Sequence, residues 1–135
     1  MGYTTEFDGN LYFDCDMTDD MFARLDLVMG VDIRYHKQLK ESNWFFHIDI
    51  EISDDKKSLL WNGSEKSYYM ERQVQYVIDY MKEVFPDFNL FGFMEAQGEE
   101  HEDHWYLVTE NGISCKWKII DKDYWDFNKI KYLIV

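Results

Sequence analysis

The sequence predicts an α+β domain in which two helices pack on one face of a mainly antiparallel sheet of about five to six strands. Residues Leu90–Ile120 predict three consecutive strands, and Tyr68–Phe85 predicts a long amphipathic helix. The whole chain has the element order β, α, β-β, α, β-β-β. With 135 residues, one proline and no low-complexity tract, it is expected to form a single domain, residues 1–135.

The first strand is predicted over Tyr3–Asp14, where apolar and polar residues alternate. Its expected core anchors are Phe7, Leu11 and Phe13. Asp8-Gly9 predicts either a bulge in this strand or a turn that splits it into a hairpin.

A short helix follows, which Thr18 or Asp16 is expected to cap at its N-terminus and Gly30 to end. The apolar residues at helical spacing are Met21, Phe22, Leu25, Val28 and Met29. Two strands are predicted next, Trp44–Ile52 and Ser58–Trp61, separated by a polar turn. In the first of these, one face is apolar, formed by Phe46, Ile48, Ile50 and Ile52.

The second helix is expected over Tyr68–Phe85, capped by Ser64 or Ser67 and ended by Pro86. Its apolar stripe contains Val74, Val77, Ile78, Met81 and Phe85. The residues expected on the flank of this stripe are Met70, Gln73, Tyr76 and Tyr80.

The last three strands are joined by an acidic turn, Gly98–Asp103, and by Asn111-Gly112, a strong signal for a type I′ hairpin. Apolar residues in the last two strands recur at a period of two and are expected to share one core face: Trp105, Leu107, Ile113, Cys115, Trp117 and Ile119. A polar-aromatic loop, Asp121–Asn128, and a further edge strand, Lys129–Val135, are predicted after them.

Twenty-seven acidic residues against fourteen basic ones give a formal net charge of −13. This charge disfavours direct binding to nucleic acid and favours a basic protein partner. If that partner normally binds nucleic acid, an acidic domain can occupy its nucleic-acid site. Neither a signal peptide nor a membrane span is indicated, so a cytoplasmic location is expected. There the two cysteines, Cys15 and Cys115, are expected to be reduced and buried.

The densest group of potential metal ligands is Glu99–His104, but its spacing matches neither an EF-hand loop nor a helical zinc site. An exposed acidic turn is the expected structure there. Phosphate-cradling loops and local signatures of nucleophilic catalysis are missing from the sequence. We therefore expect neither an enzyme nor a cofactor.

Aromatic residues make up 19% of the chain, more than one small core needs to bury. Aromatic side chains are enriched at binding hot spots, so exposed rings bordered by carboxylates predict a protein-binding patch. The expected partner-binding residues are Glu99, Glu100, Glu102, Asp103, Trp105, Trp61 and Tyr68.

The opening MGYTTEFDG resembles a group of small uncharacterised phage and prophage proteins. So do two later segments, LLWNGSEKSYY with the following VQYVIDYMKEVFP, and LFGFMEAQGEEHEDHWYLVTENG. The residues that carry this resemblance are Trp61, Gly63, Glu65, Lys66, Tyr68, Gly92, Gly98, Glu99, Glu100, Asp103 and Trp105. Asp26–Lys57 departs from the pattern of the group. The resemblance implies a non-enzymatic phage accessory protein that blocks a host machine, such as a restriction, CRISPR or other immune system.

Three hypotheses follow from the sequence. The leading one is a phage accessory protein that binds and inhibits a basic host protein, and the expected target is a bacterial defence factor. The second is a small-ligand module that holds a nucleotide-like signal between sheet and helix. The third is a metal-dependent hydrolase built on Glu99–His104.

Overall fold

A computed structural model describes residues 3–32, 47–110 and 112–118 of the protein, with residues 115–118 described by their backbone alone. The elements are β1 (Glu6–Phe13), α1 (Asp19–Asp26), β2 (Ile50–Ile52), β3 (Ser58–Trp61), α2 (Met70–Lys82), β4 (Leu90–Gln97), β5 (His104–Glu110) and β6 (Ile113–Lys118). The strands form one sheet in the order β2-β3-β1-β4-β5-β6, and every neighbouring pair is antiparallel. The predicted fold class and element order are confirmed.

Strand β1 lies inside the sheet and pairs with β3 on one side and β4 on the other. Its register with β4 runs unbroken through Asp8 and Gly9, so the predicted bulge or turn at this dipeptide is wrong. Gly9 instead adopts a φ of +122°, and a Cβ there would lie 2.5 Å from the carbonyl oxygen of Phe93. Because Gly9 has no Cβ, it can adopt this backbone geometry and the backbones of β1 and β4 can approach closely, so the strand pairing continues through it.

The core lies between one face of the sheet and the two helices. The fully buried side chains at its centre include Leu11, Leu25, Val77, Met94 and Leu107. Thr18 caps α1 as predicted, because its hydroxyl oxygen accepts a hydrogen bond from the Met21 N–H at 3.2 Å. The strand anchors Phe7 and Leu11 are buried, as expected.

Helix α2 begins later and ends earlier than predicted, and neither candidate serine caps it. The Ser67 hydroxyl instead donates to the Ser64 carbonyl and accepts from the Trp61 indole N–H, each at 2.9 Å. Tyr69 occupies the N-cap position with a left-handed backbone. The residues predicted on the flank of its apolar stripe are buried: Met70, Gln73, Tyr76 and Tyr80.

The β5–β6 hairpin corrects the prediction of one shared apolar face. The register pairs Leu107 with Lys116 and Val108 with Cys115, across a loop of two residues between Glu110 and Ile113. With a loop of this length, each odd-numbered residue of β5 pairs with an even-numbered residue of β6. Because paired residues share a face of the sheet, the odd-numbered positions of β6 lie on the opposite face from Leu107. Gly112 has a φ of +79°, which a type I′ turn requires at its second central residue.

Strand β2 is shorter than the predicted Trp44–Ile52, although Ile48 and Ile50 are buried as expected. The Asp49 N–H donates to the Gln73 side chain at 2.7 Å, so a helix residue takes the place of a strand partner there. Cys15 is a half-buried free thiol. The predictions that lie outside the described residues or side chains concern Trp44–Phe46, Asn111, the Cys115 thiol, Asp121–Asn128 and Lys129–Val135.

Candidate partner-binding site

The acidic turn, residues 98–103, joins β4 to β5 and is closed by its own backbone. The Gly98 N–H donates to the Asp103 carbonyl at 2.8 Å, and the Asp103 N–H donates to the Glu100 carbonyl at 3.0 Å. The Gln97 side chain adds donors to the carbonyls of Gly98, Glu100 and Asp103. These bonds close the turn without using its carboxylate side chains.

Two residues from the start of the chain anchor this turn. The Tyr3 hydroxyl donates to Asp103 Oδ2 at 2.8 Å and accepts from the Glu100 N–H at 3.1 Å. The Thr4 N–H donates to Glu99 Oε1 at 2.9 Å. Sequence analysis missed Tyr3 and Thr4 as site residues, because no local pattern indicates a contact across about a hundred positions.

The charges and hydrogen bonds of the acidic turn shift the pKa of the Tyr3 phenol. The Glu100 N–H, which donates to the phenolic oxygen, acts to lower the pKa of Tyr3. Desolvation, the hydrogen bond to Asp103 and the negative charges of Asp103 and Glu100 act in the other direction. Together they leave the pKa raised above its ordinary value of 10.0.

The four carboxylates of the turn fall into two groups. Glu99 and Asp103 accept hydrogen bonds from the N-terminal segment and have a structural role. The side chains of Glu100 and Glu102 are exposed. Among the described residues, no lysine or arginine forms an ion pair with any of the four. The outer pair is therefore available to a basic partner.

Beside the turn lies the aromatic hollow, a concavity of about 290 Å³ between β1, the start of α2 and Asp103. Five of the side chains around it are aromatic: Tyr3, Phe7, Tyr68, Tyr69 and Trp105. Two are acidic, Glu71 and Asp103. Lysine, arginine and histidine are missing from the described residues that line it.

Of the predicted aromatic site residues, Trp105 and Tyr68 line this hollow, whereas Trp61 lies behind it and contacts its lining residues Phe7 and Ser67. Trp105 is 5% exposed and Trp61 is half-buried, and both pack edge-on against Phe7 at centroid distances of 5.7 and 5.8 Å. Tyr68 is 46% exposed. The expectation of an exposed patch is therefore wrong for Trp105, which forms part of the floor because it pairs with Ala96 on the core face of the sheet.

Tyr69 is the second aromatic residue of the hollow that sequence analysis missed. It is 46% exposed and holds a left-handed backbone with φ of 58° and ψ of 42°. A bulky residue with positive φ is uncommon and costs about 1–2 kcal/mol relative to right-handed geometry. The surrounding structure thus holds the Tyr69 ring at the mouth of the hollow against a local preference.

On the opposite face of the sheet, His104 lies apart from the rest of the predicted cluster. Its Nε2 atom lies 3.3 Å from Glu95 Oε2, and the Tyr106 hydroxyl donates to the same oxygen at 2.7 Å. Burial and then this hydrogen bond to Glu95 raise the pKa of Tyr106 to about 12. Across the described ranges, no three histidine, cysteine, aspartate or glutamate side chains converge as a metal site would require.

Comparison with protein-family models, curated proteins and solved structures finds no match for the chain. None of the described helices is both long enough and apolar enough to cross a bilayer. The resemblance to small phage proteins accordingly stays a prediction.

Proposed function

We propose that the protein acts by binding a basic protein partner through the acidic turn and the adjoining aromatic hollow. The observation that carries this proposal is their juxtaposition at one end of the sheet. Carboxylates that no described cation neutralises lie next to partly exposed tyrosines. Interfaces combine a desolvated aromatic centre with a polar rim, and this site has both parts.

The charge of the whole chain supports the same proposal. At −13, its field attracts positively charged surfaces and speeds their encounter with the acidic turn. A basic surface that normally binds nucleic acid is the kind of partner that such a field selects, and direct nucleic-acid binding is disfavoured. The role is therefore binding rather than catalysis.

We further propose that the partner is a host protein, such as a bacterial defence factor, that the bound protein inhibits. This part depends on the resemblance to phage accessory proteins. Several residues that carry the resemblance lie together around the site: Trp61, Tyr68, Gly98, Asp103 and Trp105. Their convergence supports a shared binding surface over a scattered set of packing residues.

The small-ligand alternative has weaker support. Two further hollows are lined by described residues, one near Asp14 and Asp87 and one near Glu51 and Asp55. Like the aromatic hollow, both carry carboxylates, and none of the described residues that line them is a lysine, arginine or histidine. A nucleotide phosphate would meet repulsion in each of them. A nucleotide that raised the melting temperature would reverse this ranking.

The experiment that tests the proposal is affinity capture from bacterial lysate with matched charge variants. Glu100→Lys/Glu102→Lys changes the two outer carboxylates and spares the Tyr3 and Thr4 anchors. Asp26→Lys/Asp54→Lys makes the same charge change at two exposed positions elsewhere. We expect the first variant to lose the basic proteins that the wild type retains, and the second to keep them. Equal retention by both variants would remove the acidic turn as the binding surface.

A further inference from the structure

We propose that the aromatic hollow receives one arginine side chain of the basic partner. This inference rests on the proposed function and specifies the chemistry of its central contact. The hollow offers tyrosine and tryptophan π-systems together with two carboxylates, Glu71 and Asp103. Aromatic rings next to carboxylates attract cations, because the ring face and the carboxylate are both negative.

Elsewhere the chain contains a complete unit of the same kind. The Arg24 guanidinium carbon lies 3.9 Å from the centroid of the Tyr80 ring, and one of its nitrogens lies 3.3 Å from Glu83. That unit consists of a tyrosine face, a carboxylate and a guanidinium, which also donates to the Tyr80 carbonyl at 2.7 and 3.1 Å. The aromatic hollow supplies the first two components, so a guanidinium from outside would complete it.

One ring of the hollow already attracts a guanidinium. Arg72, which does not line the hollow, has its guanidinium carbon 6.0 Å from the centroid of the Tyr69 ring. Asp103 has acceptor capacity left as well, since its Oδ2 takes the Tyr3 hydroxyl and no described residue donates to Oδ1. A guanidinium in the hollow could therefore stack on a ring and donate to Asp103.

Size and charge select arginine over the other candidates. A hollow of about 290 Å³ lies at the lower end of the ~300–1,000 Å³ typical of small-molecule pockets, which suits a single side chain. An apolar side chain would desolvate the carboxylates without pairing them. A lysine ammonium is more strongly hydrated and cannot stack on a ring. The planar guanidinium can both stack on a ring and pair with a carboxylate, and it loses less hydration free energy on entering the hollow.

The test uses the full chain and two peptides, N-acetyl-Gly-Arg-Gly-amide and its citrulline counterpart, which has nearly the same shape but no charge. Binding is followed by NMR chemical shifts. We expect the arginine peptide to shift the Trp105 indole signal with a dissociation constant on the order of 1 mM, and the citrulline peptide to bind at least ~10-fold more weakly. Equal binding of the two peptides, or shifts that avoid Trp105, would overturn the inference.

Matched tyrosine variants locate the contact. Tyr68→Ala removes an exposed side chain that lines the hollow, and Tyr12→Ala removes a slightly more exposed tyrosine from the other face of the sheet. We expect only Tyr68→Ala to weaken the arginine peptide, by roughly 5- to 10-fold. If both variants bind like the wild type, the hollow is not the receptor.

The two proposals can fail separately. Glu100 and Glu102 do not line the hollow, so their charge reversal tests the acidic turn alone. Loss of lysate capture in that variant, with no arginine-peptide binding by the wild type, would keep the proposed function and discard the arginine receptor. Arginine-peptide binding at Trp105, with lysate capture unchanged in the variant, would keep the receptor and discard the acidic turn.

Discussion

Two turns of this sheet, one polar and one acidic, hold their carboxylates in different ways. In the β2–β3 turn, residues 53–57, the Ser53 hydroxyl donates to Asp55 Oδ1 at 2.6 Å and the Lys57 N–H donates to the same oxygen at 3.0 Å. In the β4–β5 turn, the partners of Asp103 and Glu99 are Tyr3 and Thr4, at sequence separations of 100 and 95. The Asp55 carboxylate is thus held within its own turn, whereas the Asp103 and Glu99 carboxylates are held by a distant segment.

This difference also separates the chemistry of the two places. The hollow beside the β2–β3 turn is acidic and contains no aromatic side chain among its described residues. The hollow beside the β4–β5 turn contains five, contributed by the anchor residue Tyr3, by β1, by β5 and by the two residues that precede α2. Both hollows carry carboxylates, and the aromatic side chains distinguish the second from the first.

The largest expected effect comes from Gly98→Ala, which breaks the distant anchor. A Cβ at residue 98 would overlap the Asp103 carboxylate and the Tyr3 hydroxyl, so the bond between them must give way. We expect a loss of about 1–3 kcal/mol in the free energy of unfolding, typical of overpacking. Urea denaturation followed by tryptophan fluorescence measures this loss.

A double-mutant cycle is the control for that prediction. In a Tyr3→Phe background, one of the two groups that the new methyl would meet is gone, so Gly98→Ala should cost less. Identical costs in both backgrounds would show that the methyl does not act through the anchor.

Tyr3→Phe by itself is expected to have a smaller effect, a drop of a few degrees in melting temperature, because the phenol is only partly buried. The pKa of Tyr3 is raised, so the stabilisation by its hydroxyl is full below pH 10 and is lost as the pH rises through the higher folded-state value. Thermal unfolding at a series of pH values should show a constant gap between wild type and variant up to about pH 10, and a shrinking gap above. A gap that widens in alkali would contradict the anchor.

Asp55→Asn is expected to have the smallest effect, confined to the β2–β3 turn. The Ser53 hydroxyl and then the Lys57 N–H lower the pKa of Asp55, so its stabilisation is present above pH 3.8 and is lost as the pH falls through the lower folded-state value. Hydrogen exchange at neutral pH should quicken at the Lys57 amide and stay unchanged at Gly98 and Asp103. Faster exchange at Gly98 would show that the two turns are coupled.

Local patterns were sufficient for most of the elements. The alternation in β1, the Thr18 cap and the apolar stripe of α2 each predict a structure that depends on neighbouring residues, and each is present. The sequence-based predictions are wrong where a side chain bonds to a distant or competing partner, or where strand register sets its face. Ser67 bonds to Trp61 instead of capping α2, and the two-residue loop of the β5–β6 hairpin sets which face each residue takes.

The sequence by itself determined the fold class, the order of elements, the acidic turn and the excess of negative charge, because these depend on composition and on contacts within a few residues. Only the tertiary structure decided that Trp105 is buried at the bottom of the aromatic hollow while Tyr68 lines it as an exposed side chain. It also decided that Tyr3 and Tyr69 belong to the same site. Those facts depend on strand register and on hydrogen bonds between segments far apart in the chain. No local pattern encodes such contacts, since the free energy that selects them comes from packing the whole sheet against α2.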